Sequence, residues 1–424
     1  MSISEKQAKK LVGSTYAWVV LGLVTLIYIS SFVDRQIIAV LATQIQAEMD
    51  MDNLQVGLLY GTAFSLIYAV CGIPMGRLAD LYSRKAMIVA GLAIWSLMTY
   101  LSGFATSLTF LITARMFVGV SESALSPAVY SLLSDYFRPE QRATVFSIYA
   151  SGIFIGIGVA FIGGGTVAQL YDWRTALMVV GAPGLLLAVV AWFLIKELPR
   201  GITQQKARYD IDMSMTEVLR YVLRKKTVLF HFLGFSFLAL TGYTVLGFVG
   251  TVLKEVHGAQ NLLPYYGWFM LATGLSVVLS GKAADLLANR WGPSKRFVMG
   301  MVAGLACLPL YYFGLFSGTG WTALILVGSA NVISSSYNGV AAALIQYLVK
   351  PNMRALAGGL YLFVISVIGF GVGPPLTGWL MDAVFTGAYG PAKALMLVIS
   401  CCGILGSICF LLAMRYYDID AEVE

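Results

Sequence analysis

Four charged side chains stand inside long apolar runs of the sequence. They are Asp34 and Arg35 in the first run and Arg115 and Glu122 in the fourth. A charge within a bilayer span costs about 3 kcal/mol on insertion scales, so each needs a reason. A carboxyl group in a low-dielectric cavity has a raised pKa, which a nearby arginine lowers again, so Asp34 and Glu122 are candidate proton carriers. Arg35 and Arg115 keep their charge and can bind an anionic head group or act as movable counter-ions.

The spacing of these four residues places them at similar depths. Helices over 16–42 and 108–137 run in opposite directions. Arg35 then lies seven residues, about 10 Å, from the outer end of the first, and Arg115 lies as far from the outer end of the second. Glu122 lies seven residues beyond Arg115 and shares its helix face. Two static ion pairs between the helices are the alternative, but such pairs seldom recover their desolvation cost. We therefore expect the four charges to meet around one water-filled space.

The composition identifies the elements that hold these charges. The chain has 424 residues, of which 58% are hydrophobic and 12% charged, against roughly 25% charged in soluble domains. This excludes a disordered chain and argues against a water-soluble enzyme. Runs long enough to cross a bilayer cover 16–42, 54–80, 86–105, 108–137, 141–168, 174–195, 228–257, 262–288, 296–317, 321–349, 354–384 and 392–416.

The distribution of basic residues predicts the orientation. With the N-terminus inside, 23 of the 28 Lys and Arg residues fall on the cytoplasmic side and 3 outside. This predicts a multi-pass protein of the cell (inner) membrane with both termini in the cytoplasm. The basic excess matches anionic membrane lipids and is not evidence for nucleic acid. His231 and His257 have no neighbours at metal-ligand spacing, so no metal site is expected.

Two motifs recur in the second half of the chain. Residues 76–80 (GRLAD) resemble 281–285 (GKAAD), and 138–143 resemble 350–355, at offsets of 205 and 212 residues. This predicts an all-α integral membrane fold of twelve transmembrane helices in two pseudo-symmetric six-helix halves, 1–195 and 228–424, joined by a cytoplasmic linker, 196–227. Such duplication is typical of transporters.

The loop sequence GRLADLYSRK resembles the signature of the major facilitator superfamily, with Leu81 and Ser83 as departures. Within that superfamily, residues 32–35 (FVDR), together with 121–122 (SE) and 126–127 (SP), resemble the spinster-like branch, which includes sphingolipid and lysophospholipid transporters. An Asp-Arg pair in the first helix also occurs in the organic anion:cation symporter branch.

The resemblance implies a central cavity lined by the first and fourth helices. It also implies a cytoplasmic gate in which Asp80 faces Arg354 and its counterpart Asp285 faces Arg142. The remaining gate residues are Gly76, Arg84, Lys85 and Asp135.

On the opposite wall, the tenth helix offers the neutral groups Asn331, Ser335 and Tyr337. Together with Arg35 and Arg115 they form the predicted substrate-binding set, which suits an amphipathic anion. Interhelical hydrogen bonding explains 334–336 equally well.

The expected function is secondary active transport of an amphipathic or organic anion, lysolipid- or sphingolipid-like, by alternating access and coupled to protons. A proton-coupled symporter of small organic acids and a drug-efflux antiporter remain alternatives. No cofactor is expected: 156–161 (GIGVAF) lacks the third glycine and the preceding strand of a dinucleotide site. No nucleophile with a base, which an enzyme would need, is recognisable. The expected partners are the substrate, protons and membrane lipids, and the protein is expected to be a monomer.

Overall fold

The computed structural model describes residues 5–203, 215–349 and 353–422, and the regular structure within these ranges is helical throughout. A chain this apolar has to satisfy its backbone hydrogen bonds within each segment, because the hydrocarbon core offers no water. The described residues form twelve long helical segments. In chain order they are Thr15–Met49, 53–81, Arg84–Ser102, Leu108–Tyr136, 142–170, Trp173–Leu194, Lys226–Val256, Gln260–Trp291, Pro293–Leu315, 320–348, 354–383 and Gly390–Glu422.

Eleven helices among the described residues are long and apolar enough to cross a membrane. The tenth segment differs because it is divided into Gly320–Ser335 and Asn338–Leu348. At the division, the Asn338 side-chain amide donates to the Ser335 carbonyl at 2.7 Å and replaces a helical backbone donor. The predicted span at 321–349 is therefore present as two shorter helices.

The first long helix extends further than the apolar run predicts. It ends at Met49 rather than at residue 42, and Asp50 ends it with a positive φ of 51°. The two extra turns, 43–49, are largely polar, so they fall outside the apolar run from which the helix was predicted. The next helix starts at once with a capping box, in which Asp52 and Gln55 satisfy each other's backbone N–H groups.

The fourth and eleventh helices are irregular at proline. The fourth is interrupted at Ala124, where Pro127 cannot donate to the Ser123 carbonyl. The eleventh passes through a π-helical stretch, Ser366–Val372, before Gly373–Ala383, whose first turn holds two prolines.

The chain folds into two compact units whose limits differ from the six-helix halves. One comprises Met1–Leu41 and Leu66–Arg208, the other Ala42–Ser65 and Tyr209–Glu424. The end of the first long helix and the start of the second therefore pack with the C-terminal part of the chain. The division at 196–227 stays a prediction about sequence duplication.

Glycines of the fifth helix allow it to approach the first helix closely. A Cβ on Gly156 would lie 2.6 Å from the Ile29 carbonyl oxygen, and one on Gly164 would lie 2.3 Å from Ile37 Cδ1. These glycines serve helix packing, and their backbone contact sets the position of the helix that carries Asp34 and Arg35.

Candidate functional site

A buried ion pair joins the first and fourth helices. Arg35 Nη2 lies 2.9 Å from Glu122 Oε2, and the two side chains are 11% and 0% exposed. The guanidinium also faces the rings of Phe32 and Tyr68, at 4.6 and 4.8 Å from their centroids. A charge-assisted bond and two ring faces therefore hold Arg35 in place.

Arg115 contacts the same stretch of the first helix through the backbone. It is buried, and its Nη1 donates to the Asp34 carbonyl oxygen at 3.0 Å. The structure thus brings Asp34, Arg35, Arg115 and Glu122 together, although the first helix ends at Met49 and not at residue 42, from which the depth of Arg35 was predicted. Glu122 bonds the arginine of the neighbouring helix, because seven residues, about 10 Å of rise, separate it from Arg115 on its own helix.

The Asp34 side chain is fully buried, and neither carboxyl oxygen has a hydrogen-bond partner among the described residues. The Trp95 indole and the Thr99 hydroxyl are polar neighbours whose positions fall short of hydrogen-bond geometry. Arg115 and Glu122 are close enough to act on the carboxyl electrostatically. A buried ionised carboxylate without hydrogen bonds is costly, and the role of Asp34 as a proton carrier stays a prediction.

A cluster of tyrosines that was not predicted from the sequence lies near Arg35, and Tyr68 contacts the guanidinium directly. Tyr28 stacks on Tyr149 at 4.1 Å, and Tyr130 meets Tyr149 edge-on at 5.5 Å. Tyr130 is 39% exposed and lies eight residues after Glu122, on the same face of the fourth helix. The signal was available: 28, 32 and 35, like 122, 126 and 130, follow helical spacing.

A second cluster of charges, at the opposite end of the first unit's helices from the 103–107 loop, centres on Arg84. Its side chain pairs with Asp135 and, at 2.7 Å, with Glu197, and it donates to the Leu198 carbonyl at 2.6 Å. Glu197 was not predicted. Partial burial raises its pKa, but the Lys85 N–H and the Arg84 guanidinium outweigh this, so that the pKa of Glu197 is lowered.

The remaining gate residues have local partners. Arg142 donates to the Ser134 carbonyl at 2.9 Å, and Asp285 pairs with Arg296 at 3.1 Å. Gly76 has open space where a Cβ would project. The side chains of Asp80 and Arg354 lie outside the described residues, so the gate stays a prediction.

The predicted residues of the tenth helix lie in interhelical packing. Asn331 is buried, and its amide contacts Met270 Sδ at 3.4 Å. Tyr337 is fully buried against Phe410, 4.8 Å between ring centroids. Ser335 is half-buried and its carbonyl accepts the Asn338 amide. Asn331 and Tyr337 are inaccessible to a substrate in this structure, and their binding role stays a prediction.

The comparisons with known proteins agree with this architecture. The profile of the Major Facilitator Superfamily matches residues 24–374. The chain belongs to this superfamily. An MFS-type efflux pump of Mycolicibacterium smegmatis is 29% identical over 97% of this chain and 96% of its own length. Protein spinster homolog 1 of Xenopus tropicalis is 26% identical over 90% of this chain and 76% of its own length.

A solved structure extends the match to three dimensions. It is a bacterial homolog to the human lysosomal transporter Spinster, inward-facing and unoccupied, with a TM-score of 0.84, 25% identity and coverage of 96% of this chain and 98% of that one. The resemblance to the spinster-like branch and the major facilitator fold are thereby confirmed. This superfamily member is a multi-pass membrane transporter and not an enzyme.

Proposed function

We propose that this transporter carries an amphipathic or organic anion by alternating access, in symport with protons. The observation that supports this most directly is the buried Arg35–Glu122 pair at 2.9 Å. Because Glu122 occupies the cation, an anionic substrate has to compete with the carboxylate for Arg35. Protonation of Glu122 removes its negative charge and leaves the guanidinium available.

The direction of coupling follows from linkage. If a proton on Glu122 raises the affinity of Arg35 for an anion, then the bound anion raises the affinity of Glu122 for a proton by the same factor. Proton and anion consequently bind together and travel in the same direction. A cationic or neutral drug would gain nothing from a freed Arg35, so this geometry favours symport of an anion over drug–proton antiport.

Asp34 is the second proposed proton carrier. Its carboxyl lies near both Glu122 and Arg115, without a hydrogen bond among the described residues. A proton on Asp34 removes like-charge repulsion between the two carboxylates. Arg115, bonded to the Asp34 backbone, is the second proposed contact for the substrate anion.

The tyrosines beside Arg35 would face the body of the substrate. Tyr68, whose ring faces Arg35, and the exposed Tyr130 offer ring faces for apolar groups and hydroxyls for polar ones. Tyr149 is fully buried and supports Tyr28 and Tyr130 through ring contacts. This suits a lysolipid- or sphingolipid-like anion with its head group on arginine. Two relatives favour a smaller cargo: the hexuronate transporter of Bacillus subtilis is 23% identical over 85% of this chain, and the D-galactonate transporter of Escherichia coli is 25% identical over 90%. Proton-coupled uptake of a small organic acid is therefore the second candidate.

We place both termini and the central linker in the cytoplasm, with the protein as a monomer in the inner membrane. The support is the excess of basic residues on that side. Opening and closing there would involve Asp80 with Arg354 and Asp285 with Arg142.

The test is transport by purified protein in liposomes with and without an imposed pH difference. The probes are a lysophospholipid and galactonate. Parent protein is expected to show uptake driven by an acidic outside. Glu122→Gln and Asp34→Asn should lose this pH-driven part and keep substrate exchange at equal pH, because neither change removes an arginine.

Asp172→Asn is the matched control. Asp172 caps a helix by accepting from the Thr175 N–H at 2.6 Å, and asparagine caps helices equally well. This variant should transport like the parent. Full pH-driven uptake by both Glu122→Gln and Asp34→Asn would locate the coupling elsewhere. Absence of a pH-driven part in the parent would refute proton coupling.

A further inference from the structure

A carboxylate of the eleventh helix binds the start of the second long helix. Asp382 Oδ1 accepts from the Asn53 side-chain amide at 2.7 Å and from the Asn53 backbone N–H at 3.3 Å, and Oδ2 accepts from the Leu54 N–H at 2.8 Å. Helix N-termini leave unpaired N–H groups and favour negative charge. One side chain therefore satisfies three donors of a helix far away in sequence.

The helix already has a cap of its own. Asp52 accepts from the Gln55 N–H at 2.6 Å, and the Gln55 side chain accepts from the Asp52 N–H at 3.1 Å. The helix therefore keeps a cap if Asp382 withdraws. The Asp382 contact joins two segments and is not needed to start the helix.

The two segments approach each other through glycine. A Cβ on Gly378 would lie 2.1 Å from the Asn53 carbonyl oxygen, and one on Gly57 would lie 2.5 Å from that of Pro374. One turn further, the Thr62 hydroxyl donates to the Gly371 carbonyl at 2.7 Å. Beside these close backbone contacts, the buried rings of Tyr60 and Phe64 contact the Phe370 ring, at 4.8 and 5.7 Å between centroids. Separation of the two segments therefore breaks the Asp382 bonds and also exposes these rings.

The segment that Asp382 contacts is connected at both ends to the other compact unit. Residues 42–65 pack with the C-terminal unit, yet the chain on either side of them, up to Leu41 and from Leu66, belongs to the other unit. Any rearrangement of one unit against the other must therefore pull on 42–65. Asp382 is exposed to solvent, so water can replace its bonds when the segments part.

We propose that Asp382 is a releasable latch of the outer gate. It holds 53–62 against the eleventh helix while the outer side is closed, and its hydrogen bonds to Asn53 and Leu54 break when the transporter opens outward. The proposal rests on the alternating access and the orientation proposed above. It assigns to Asp382 a role that the sequence motifs did not indicate.

The experiment measures a distance and needs no substrate. Spin labels are attached at Ala47→Cys and Thr386→Cys, both exposed positions, in full-length protein whose five native cysteines are replaced. Distances are recorded in nanodiscs by electron spin resonance. Asp382→Ala should raise the ratio of long to short distances about fivefold or more, the lower end of typical coupling between states.

Two further variants distinguish a latch from a folding defect. Asn53→Asp sets a carboxylate against Asp382 and should also favour the long distance. The double variant Asn53→Asp with Asp382→Asn restores a carboxylate–amide pair and should return the distribution toward that of the parent. Asp52→Asn is the control. It removes a carboxylate next to Asn53, as Asp382→Ala does, but keeps a capping side chain and the Asp382 contact, so the distances should stay unchanged.

The latch is refuted if Asp382→Ala and Asn53→Asp give the parent distribution, or if the double variant fails to restore it while it melts like the parent. These outcomes do not depend on transport. A failure of pH-driven uptake in liposomes leaves the distance result valid, and an unchanged distance leaves the proton-coupling proposal valid.

Discussion

Removal of Arg35 should destabilise the protein in a way that depends on pH. In Arg35→Gln, Glu122 loses the cation 2.9 Å from its Oε2 while its side chain stays fully buried. Breaking a buried pair by removing one partner costs about 3–5 kcal/mol when the other charge remains. The carboxyl can avoid part of this cost by taking up a proton.

The upper limit of the cost follows from proton uptake. At pH 7, protonating a glutamate with an ordinary pKa of about 4.3 takes about 2.7 units at 1.36 kcal/mol each, or about 3.7 kcal/mol. At pH 5 the same step takes about 1 kcal/mol. The deficit of Arg35→Gln relative to the parent should therefore be large at neutral pH and shrink as the pH falls. In Arg35→Gln with Glu122→Gln the carboxylate of this pair is removed as well, so the part of the pH dependence that is due to Glu122 should vanish.

The assay is thermal unfolding of the parent and variants in one detergent at pH 5 and pH 7.5, with the parent as reference at each pH. Arg174→Gln is the control, since Arg174 also faces a ring, Trp173 at 4.1 Å, and donates to the Ala105 carbonyl at 2.7 Å. Its deficit should be the same at both pH values. A deficit of Arg35→Gln that does not change between pH 5 and 7.5 would show that Glu122 is not the group left unpaired. It would also refute the competition between Glu122 and a substrate anion for Arg35.

Two further predictions concern packing and the linker. Gly156→Ala puts a Cβ 2.6 Å from the Ile29 carbonyl and should lower the melting temperature, because overpacking costs about 1–3 kcal/mol; Gly163→Ala has nothing within 4 Å and should melt at or above the parent temperature. Glu197→Gln should speed hydrogen exchange of the Lys85 backbone N–H, which donates a hydrogen bond to Glu197 Oε2 at 2.8 Å. Because the pKa of Glu197 is lowered in the fold, its stabilising effect is complete above the unfolded value of about 4.3 and is lost as the pH falls through the lowered one. The difference between Glu197→Gln and the parent should therefore be full at pH 7 and disappear in acid; equal exchange at pH 7 would contradict the assigned contact.

The membrane helices could be predicted from sequence because hydropathy directly reports burial in lipid. Most helix ends fall within a few residues of the apolar runs. The first helix was predicted seven residues too short because its last turns are polar. Hydropathy measures the length of chain in hydrocarbon, and a helix that continues past the apolar stretch leaves no signal in it.

The site could be predicted only as a set of residues. A charge inside an apolar run is visible in sequence, so Asp34, Arg35, Arg115 and Glu122 could be named. Which carboxylate bonds which arginine depends on the offset between two helices, and this is set by packing such as that of Gly156 on Ile29. The Asp382 contact spans more than 300 residues and involves an exposed carboxylate at the end of a helix, which composition does not distinguish from any other exposed charge.

The first long helix connects the proposed substrate site to the proposed latch. It runs from Thr15 to Met49, with no glycine or proline after Gly22. Arg35 lies seven residues, about 10 Å of helical rise, before the point at which this helix passes from one compact unit to the other. An uninterrupted helix transmits displacement along its axis, because bending it breaks backbone hydrogen bonds. A change in the partner of Arg35 that moves the first helix must therefore also move 42–49, which leads directly into the segment that Asp382 holds. On this reasoning, proton uptake at Glu122 and release at Asp382 are two effects on one rigid element, and Glu122→Gln should shift the spin-label distances at 47 and 386 without any change at the outer contact itself. If Glu122→Gln alters pH-driven transport but leaves those distances as in the parent, the first helix does not couple the two sites.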